Sequence, residues 1–149
     1  MFHVHGMAQY RGWDEGCTQD RFREMTLFVQ SHGFGIEMGA WPQDARFGYL
    51  GGVSFTQVDN VHAGTVEVSA YVYAATLIRV NRYLYFKGMG GIRTYLNGPP
   101  EGVKSTVPFV SGGVRLSLPL GRGDLFALIL EPQYGTQGFN GLAGLGIAL

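Results

Sequence analysis

Residues 64–96 read GTVEVSAYVYAATLIRVNRYLYFKGMGGIRTYL, two long arms joined by a tight turn around Val80-Asn81. In the first arm Val66, Val68, Ala70, Val72, Ala74, Thr76 and Ile78 share one parity, while Glu67, Ser69, Tyr71, Tyr73 and Arg79 take the other. In the second arm Leu84, Phe86, Gly88, Gly90 and Ile92 alternate with Tyr85, Lys87, Met89, Gly91 and Arg93. A period of two sustained this long is a strand signal, because successive side chains of a strand point to opposite faces. Each arm outlasts the usual strand of roughly five or six residues, and each keeps its charges on one face.

Composition agrees with an unusual surface. Charged residues make up 15% of the 149-residue chain and glycine supplies 24 positions, where ordinary soluble domains run at about 25% charge and ~7% glycine. Lys+Arg and Asp+Glu are 11 each, so no net charge points to a nucleic-acid partner. The longest continuous apolar run, residues 125–130, is far short of the roughly 18 residues that a transmembrane helix requires. Length and the absence of a linker predict a single domain over residues 1–149. The first residues, Met1 to Gly6, lack the basic and apolar regions of a signal peptide, so an exported chain would have lost its signal outside this numbering or be a fragment.

On either side of these arms the alternation recurs: residues 2–12 alternate as a first strand, and the polar stretch 12–24 reads as a long loop. Residues 25–41 read as a second strand whose apolar parity slips, from Leu27 and Val29 to Phe34, Ile36, Met38 and Ala40. A bulge at Gly33-Phe34-Gly35 would restore the faces. Further strands are predicted over 46–57, the two arms above, 106–118, 124–133 and 139–149. The connections then alternate, long at 12–24, 58–63, 97–105 and 134–138, short at 42–45, 80–81 and 121–123. Long loops at one end and short turns at the other are the layout of an outer-membrane barrel.

Sidedness separates a membrane barrel from a soluble one. Arg11, Glu37, Glu67, Lys87, Arg93, Arg115 and Glu131 all sit on the mixed face, opposite a face of Val, Leu, Ile, Phe, Ala and Gly. About one charge per strand is sparse for a solvated surface and suits a narrow lumen. The expected turns bring Glu67 near Arg93 and Arg115 near Glu131, and such pairing is required where charges are buried. The sequence therefore predicts an all-β, closed, up-and-down antiparallel transmembrane barrel of about eight strands, with those seven residues forming a structural polar network in the lumen. The alternative is a soluble, lipocalin-like barrel whose uncharged face encloses an apolar ligand.

In this arrangement the chain resembles the small eight-stranded outer-membrane barrels of the OmpA/OmpX kind, an architectural match across nearly its whole length. The closing Gly144-Leu145-Gly146-Ile147-Ala148-Leu149 is similar to the C-terminal signal that such barrels present to their assembly machinery, with Leu149 where the family usually ends in an aromatic. Trp41, Phe47, Tyr49, Phe86, Phe126, Tyr134 and Phe139 are candidate girdle residues. The resemblance implies a bacterial outer-membrane location, with the lipid bilayer, lipopolysaccharide and the barrel-assembly machinery as partners. It also implies a structural, adhesion or loop-mediated binding role without a wide pore.

Candidates for chemistry are few. His3 and His5, with His32, could chelate a metal, but polar lumen histidines are the commoner outcome. Cys17 lies in a loop rich in Gly, Asp and Glu, which fits a free thiol better than a nucleophile. Gly88-Met89-Gly90-Gly91 lies mid-strand with no following Lys-Ser/Thr, so it is not a phosphate loop. The enzymatic alternative is a lipid A-modifying barrel. Lipid A deacylases carry a His-x-Ser-Asn motif on the penultimate strand, where this chain reads Glu131-Pro132-Gln133-Tyr134. Neither a catalytic residue nor a cofactor is expected.

Overall fold

The computed structural model describes residues 21–42, 46–60, 64–81, 83–121 and 125–149. Eight strands follow one another in chain order: β1 (Arg21–Gln30), β2 (Gly33–Pro42), β3 (Phe47–Asn60), β4 (Thr65–Arg79), β5 (Leu84–Tyr95), β6 (Thr106–Leu120), β7 (Phe126–Gly135) and β8 (Gly138–Ala148). Each pairs antiparallel with its neighbours in sequence, and β1 pairs with β8 from Glu24↔Ala148 to Gln30↔Leu142, closing the barrel. The shortest strand has 10 residues, enough for a tilted strand to cross a bilayer, which takes about 9–11. No strand is left with an open edge.

The stretch expected to be one bulged strand, 25–41, is instead parts of two strands. Gln30 lies opposite Gly33 across a two-residue turn at Ser31 and His32. Residues that face each other across a hairpin share a side of the sheet, so Leu27↔Ile36 and Val29↔Phe34 move the outward parity from odd to even numbers. A tight turn produces the same slip in a sequence as a bulge does. The expected first strand over 2–12 lies outside the described residues, as does most of the 12–24 loop, whose last residues belong to β1.

The connections correct a second expectation. At the upper end of the barrel they span 31–32, 61–64, 96–105 and 136–137, and at the lower end, where β1 begins and β8 finishes, they span 43–46, 80–83 and 121–125. Only 96–105 is long, so the strict alternation of long and short loops does not hold. The strands themselves lengthen to take up the difference: β3 and β4 continue pairing to Asn60↔Thr65, four residues beyond the level at which β2 ends opposite Thr56. Asn97, in the long loop, accepts from the Val68 amide at 2.8 Å and donates to the Val66 carbonyl, which ties that loop to the raised hairpin.

The uncharged face is the outer one. Val72 and Phe86 are each 54% exposed on the outside of the wall, and Val68 and Leu84 share their parity and are half-buried. Phe47, Tyr49, Phe86 and Phe126 stand outside toward the lower end, Tyr134 and Phe139 toward the upper, where Phe34 and Phe55 join them with ring centroids 5.9 Å apart. The Trp41 side chain is outside the described set. Leu27, Val29, Val53, Val72, Ile92 and Val110 cover the wall between the two groups.

The inside is filled by side chains, as the bore of an eight-stranded barrel requires. Leu50, Ala75, Leu77 and Tyr85 form one buried cluster with Tyr73 and Phe109, and Ala127 and Ile129 form another with Phe28 and Leu142. Their lower members seal that end. The large rings fit because glycines face them. A Cβ on Gly35 would come 2.4 Å from Phe28 Cζ, and one on Gly52 would come 2.5 Å from Tyr73 Cζ.

Candidate functional site

Above the apolar seal the lumen holds a knot of charges contributed by five strands. Glu24 comes from β1, Glu37 from β2, Lys87 from β5, Arg115 from β6 and Glu131 from β7, and each is at least nine-tenths buried. Strand alternation puts each of them on the inner face, and closure brings together strands that are not neighbours. Lys87 Nζ donates to Glu37 Oε1 and, at 2.6 Å, to Glu131 Oε1. Arg115 spreads its fork over three carboxylates: Nη1 donates to Glu37 Oε2 at 3.0 Å and to Glu131 Oε2 at 3.2 Å, and Nη2 donates to Glu24 Oε1.

Neutral groups complete the knot. Tyr73 donates its hydroxyl to Glu37 at 2.7 Å, and Gln133 donates to Glu131 at 3.0 Å. Thr26 accepts from Arg115 and donates to Glu24, both at 2.8 Å. The Lys87 ammonium lies 5.8 Å from the Tyr73 ring centroid. Ions withdrawn from water are tolerated only where geometry and further hydrogen bonds replace their hydration, and here every carboxylate has at least two donors.

A second, more open group stands above it. Arg93 donates Nε to Ser69 Oγ at 3.0 Å and Nη1 to Gln137 Oε1 at 2.9 Å, and Nη2 lies 3.6 Å from Glu67. Its guanidinium is 4.3 Å from the Tyr95 ring centroid and 5.5 Å from that of Tyr71. Gln137 sits in the 136–137 turn, so the bond to Arg93 on β5 spans the mouth past β6. The left-handed φ of 84° at Gly138 closes that turn, a conformation glycine adopts without strain. On the other side of the mouth Asn140 donates to Gln30 at 2.8 Å and accepts from Ser31 at 3.3 Å.

Between the two groups lies a cavity of about 250 Å³. Phe28, Tyr71, Tyr73, Met89 and Phe109 line it together with Ser54, Thr56, Ser111 and Gln133, and the amides of Gln30, Gln137 and Asn140 stand at its mouth. Tyr71 meets Phe109 edge to face at 5.4 Å.

Of the residues that the sequence singled out, Glu37, Lys87, Arg115 and Glu131 meet in the lower knot, and Glu67 and Arg93 meet at the mouth. Arg115 and Glu131 face each other directly, since Gly113 pairs with Gln133 and Leu116 with Leu130. Glu67 and Arg93 do not: Tyr71 is the residue opposite Arg93, because the connection is the longer 80–83, and only the length of the two side chains closes the gap. Arg11, His3, His5 and Cys17 lie outside the described residues. His32 is exposed in the β1–β2 turn. Glu24, Thr26, Tyr73 and Gln133 were missed. For the first two the signal was present, since alternation carried back from Leu27 through Met25 puts Glu24 and Thr26 on the inner face.

No protein-family model matches the chain, and no curated protein does. Among solved structures it is similar to the Yersinia pestis outer membrane protein Ail in a phospholipid bilayer nanodisc, at 13% identity and a TM-score of 0.56 over 87% of this chain and 100% of that one. It is also similar to a de novo designed transmembrane β-barrel, at 10% identity and a TM-score of 0.53 over 89% of this chain and 98% of the designed one. At such identities the likeness is one of fold, carried by strand number, order and closure. The chain has the fold of a small eight-stranded outer-membrane barrel, closed, antiparallel and transmembrane in type.

Proposed function

We propose that this chain is a single-domain integral barrel of a bacterial outer membrane, with a structural, adhesive or loop-mediated binding role and no wide pore. One observation carries the reading: between its rims, a wall that is apolar and uncharged outside surrounds a lumen whose charges are paired inside. A soluble ligand-carrying barrel needs the reverse, an apolar cavity within a polar wall. Hydrocarbon accepts the exposed valines, leucines and phenylalanines that water would disfavour, and the lumen knot removes the need for water at the charges.

The bilayer is then the first partner, and lipopolysaccharide would contact the upper aromatic group around Tyr134 and Phe139. Insertion would depend on the barrel-assembly machinery. The raised β3–β4 hairpin and the 96–105 loop tied to it by Asn97 are the surface offered to an outside partner. Glu101 and Lys104 are exposed there. A catalytic role finds little support, because Glu131 is enclosed by Lys87, Arg115 and Gln133 rather than placed beside a nucleophile.

Cell fractionation with a heat-modifiable gel shift tests the reading. The expected result is recovery in the outer-membrane fraction, extraction only by detergent, and faster migration of unheated protein. Recovery in the aqueous fraction without detergent would overturn it. Planar-bilayer recordings of the same protein should show no conductance steps, since Leu50, Leu77, Tyr85 and Ile129 close the lower lumen.

A further inference from the structure

We infer that the cavity at the upper mouth is a binding site for one neutral sugar ring. Its size comes first: about 250 Å³ holds roughly eight waters at ~30 Å³ each. It is smaller than the ~300–1,000 Å³ clefts that enclose drug-sized ligands. A single six-membered polyol fits; an extended chain does not.

Charge excludes ions of either sign. The cation on the wall, Arg93, donates to Ser69 and Gln137, has Glu67 as its counter-ion at 3.6 Å and stands over two tyrosine rings, so its charge is already compensated. An anion entering deeper would approach Glu131, which Gln133 joins to the floor. An organic cation finds no free carboxylate, since Glu67 is held by Arg93 and Glu131 by Lys87 and Arg115. The remaining polar groups are amides, hydroxyls and the imidazole of His32 at the rim, and these both donate and accept.

The apolar surfaces decide the rest. Phe28, Phe109 and Met89 alternate around the cavity with Ser54, Ser111 and Gln133. A purely apolar guest would cover the hydroxyls of Ser54, Thr56 and Ser111 and the amide of Gln133 without offering them a hydrogen bond, at the cost of desolvating polar groups. A sugar ring matches both kinds of wall, with C–H faces for the rings and hydroxyls for the amides.

The test uses the full chain refolded in a detergent without a sugar headgroup, with folding verified first by the heat-modifiable gel shift. Calorimetry and saturation-transfer NMR then compare methyl glycosides of glucose, galactose and mannose, which stand for a ring at a glycan's end, with the free monosaccharides. Tetramethylammonium chloride and sodium sulfate are the charged comparators. One sugar is expected to bind at one per barrel with millimolar affinity, and binding by either class supports the site and says which source it takes. Ser111→Phe, which fills the cavity, should abolish binding, and Asn140→Ala should weaken it about tenfold. Ile78→Ala, on the outer wall near the lower rim, should leave it unchanged. Folded protein that binds no sugar, binding that survives both cavity variants, or tighter binding of a charged comparator would each overturn the inference. The inference rests on the proposed barrel, and the two fail differently: without the gel shift the barrel reading falls, and with the shift but no sugar bound only this site does.

Discussion

In the lumen knot three carboxylates, Glu24, Glu37 and Glu131, meet two cations, Lys87 and Arg115. The imbalance makes the members unequal. Replacing Lys87 by Met leaves three carboxylates to Arg115, two of them stripped of their shortest contact, and a buried charge left without its partner costs about 3–5 kcal/mol. Replacing Glu24 by Gln instead brings the count to two and two, and the amide oxygen still accepts from Arg115 and Thr26. That change should cost no more than one ordinary hydrogen bond, about 0.5–1.5 kcal/mol. Denaturant unfolding in micelles, followed by the gel shift, should show a large fall in midpoint for Lys87→Met and a small one for Glu24→Gln. Equal losses would mean that the knot is hydrated well enough for its charge balance not to matter.

At the scale of the strand, the hairpin arms were legible because alternation is local: odd positions from Glu67 to Arg79 and from Tyr85 to Tyr95 face inward as the sequence pattern predicts. What was not legible is set by distance in space rather than in sequence. The parity slip between Val29 and Phe34 fits a bulge and a two-residue turn equally, and only the pairing of Gln30 with Gly33 separates them. Likewise the Arg115–Glu131 contact lies across a single hairpin and could be foreseen. The bonds from Arg115 to Glu37 and to Glu24 cross the bore between strands that are not neighbours. The same spatial logic explains the glycines of β5. A Cβ on Gly91, which faces in, would lie 2.1 Å from the Val72 carbonyl oxygen, whereas one on Gly88, which faces out, meets nothing within 4 Å. Gly91→Ala must push one backbone off another and should destabilise by about 1–3 kcal/mol. Gly88→Ala should be neutral or slightly stabilising, because alanine loses less backbone entropy on folding. Thermal gel-shift midpoints of the two variants give the comparison, and a Gly91→Ala barrel as stable as Gly88→Ala would contradict the close approach of β4 and β5.

For the whole molecule the decisive property is which medium touches the wall, and a single outward position can report it. Val72 lies midway along β4, opposite Val53 on one side and Ile92 on the other, with all three exposed outward. In a barrel that spans a bilayer this position lies near the hydrocarbon centre, where an arginine on the lipid face costs about 2–4 kcal/mol. On a soluble barrel the same substitution adds one charge to a solvated surface and changes stability by no more than about 0.5 kcal/mol. The cost should also depend on depth: Ile78→Arg, near the lower rim of the same strand, should fall to about 0–1 kcal/mol because the side chain reaches the headgroups. Equilibrium unfolding in phospholipid vesicles should therefore rank Val72→Arg well below Ile78→Arg, with both retaining the lumen knot that Val72 and Ile78 do not touch. A flat profile along β4 would place water rather than lipid against the wall. A steep one, read together with the sealed lower lumen, leaves the upper mouth as the end through which water reaches the inside of this barrel.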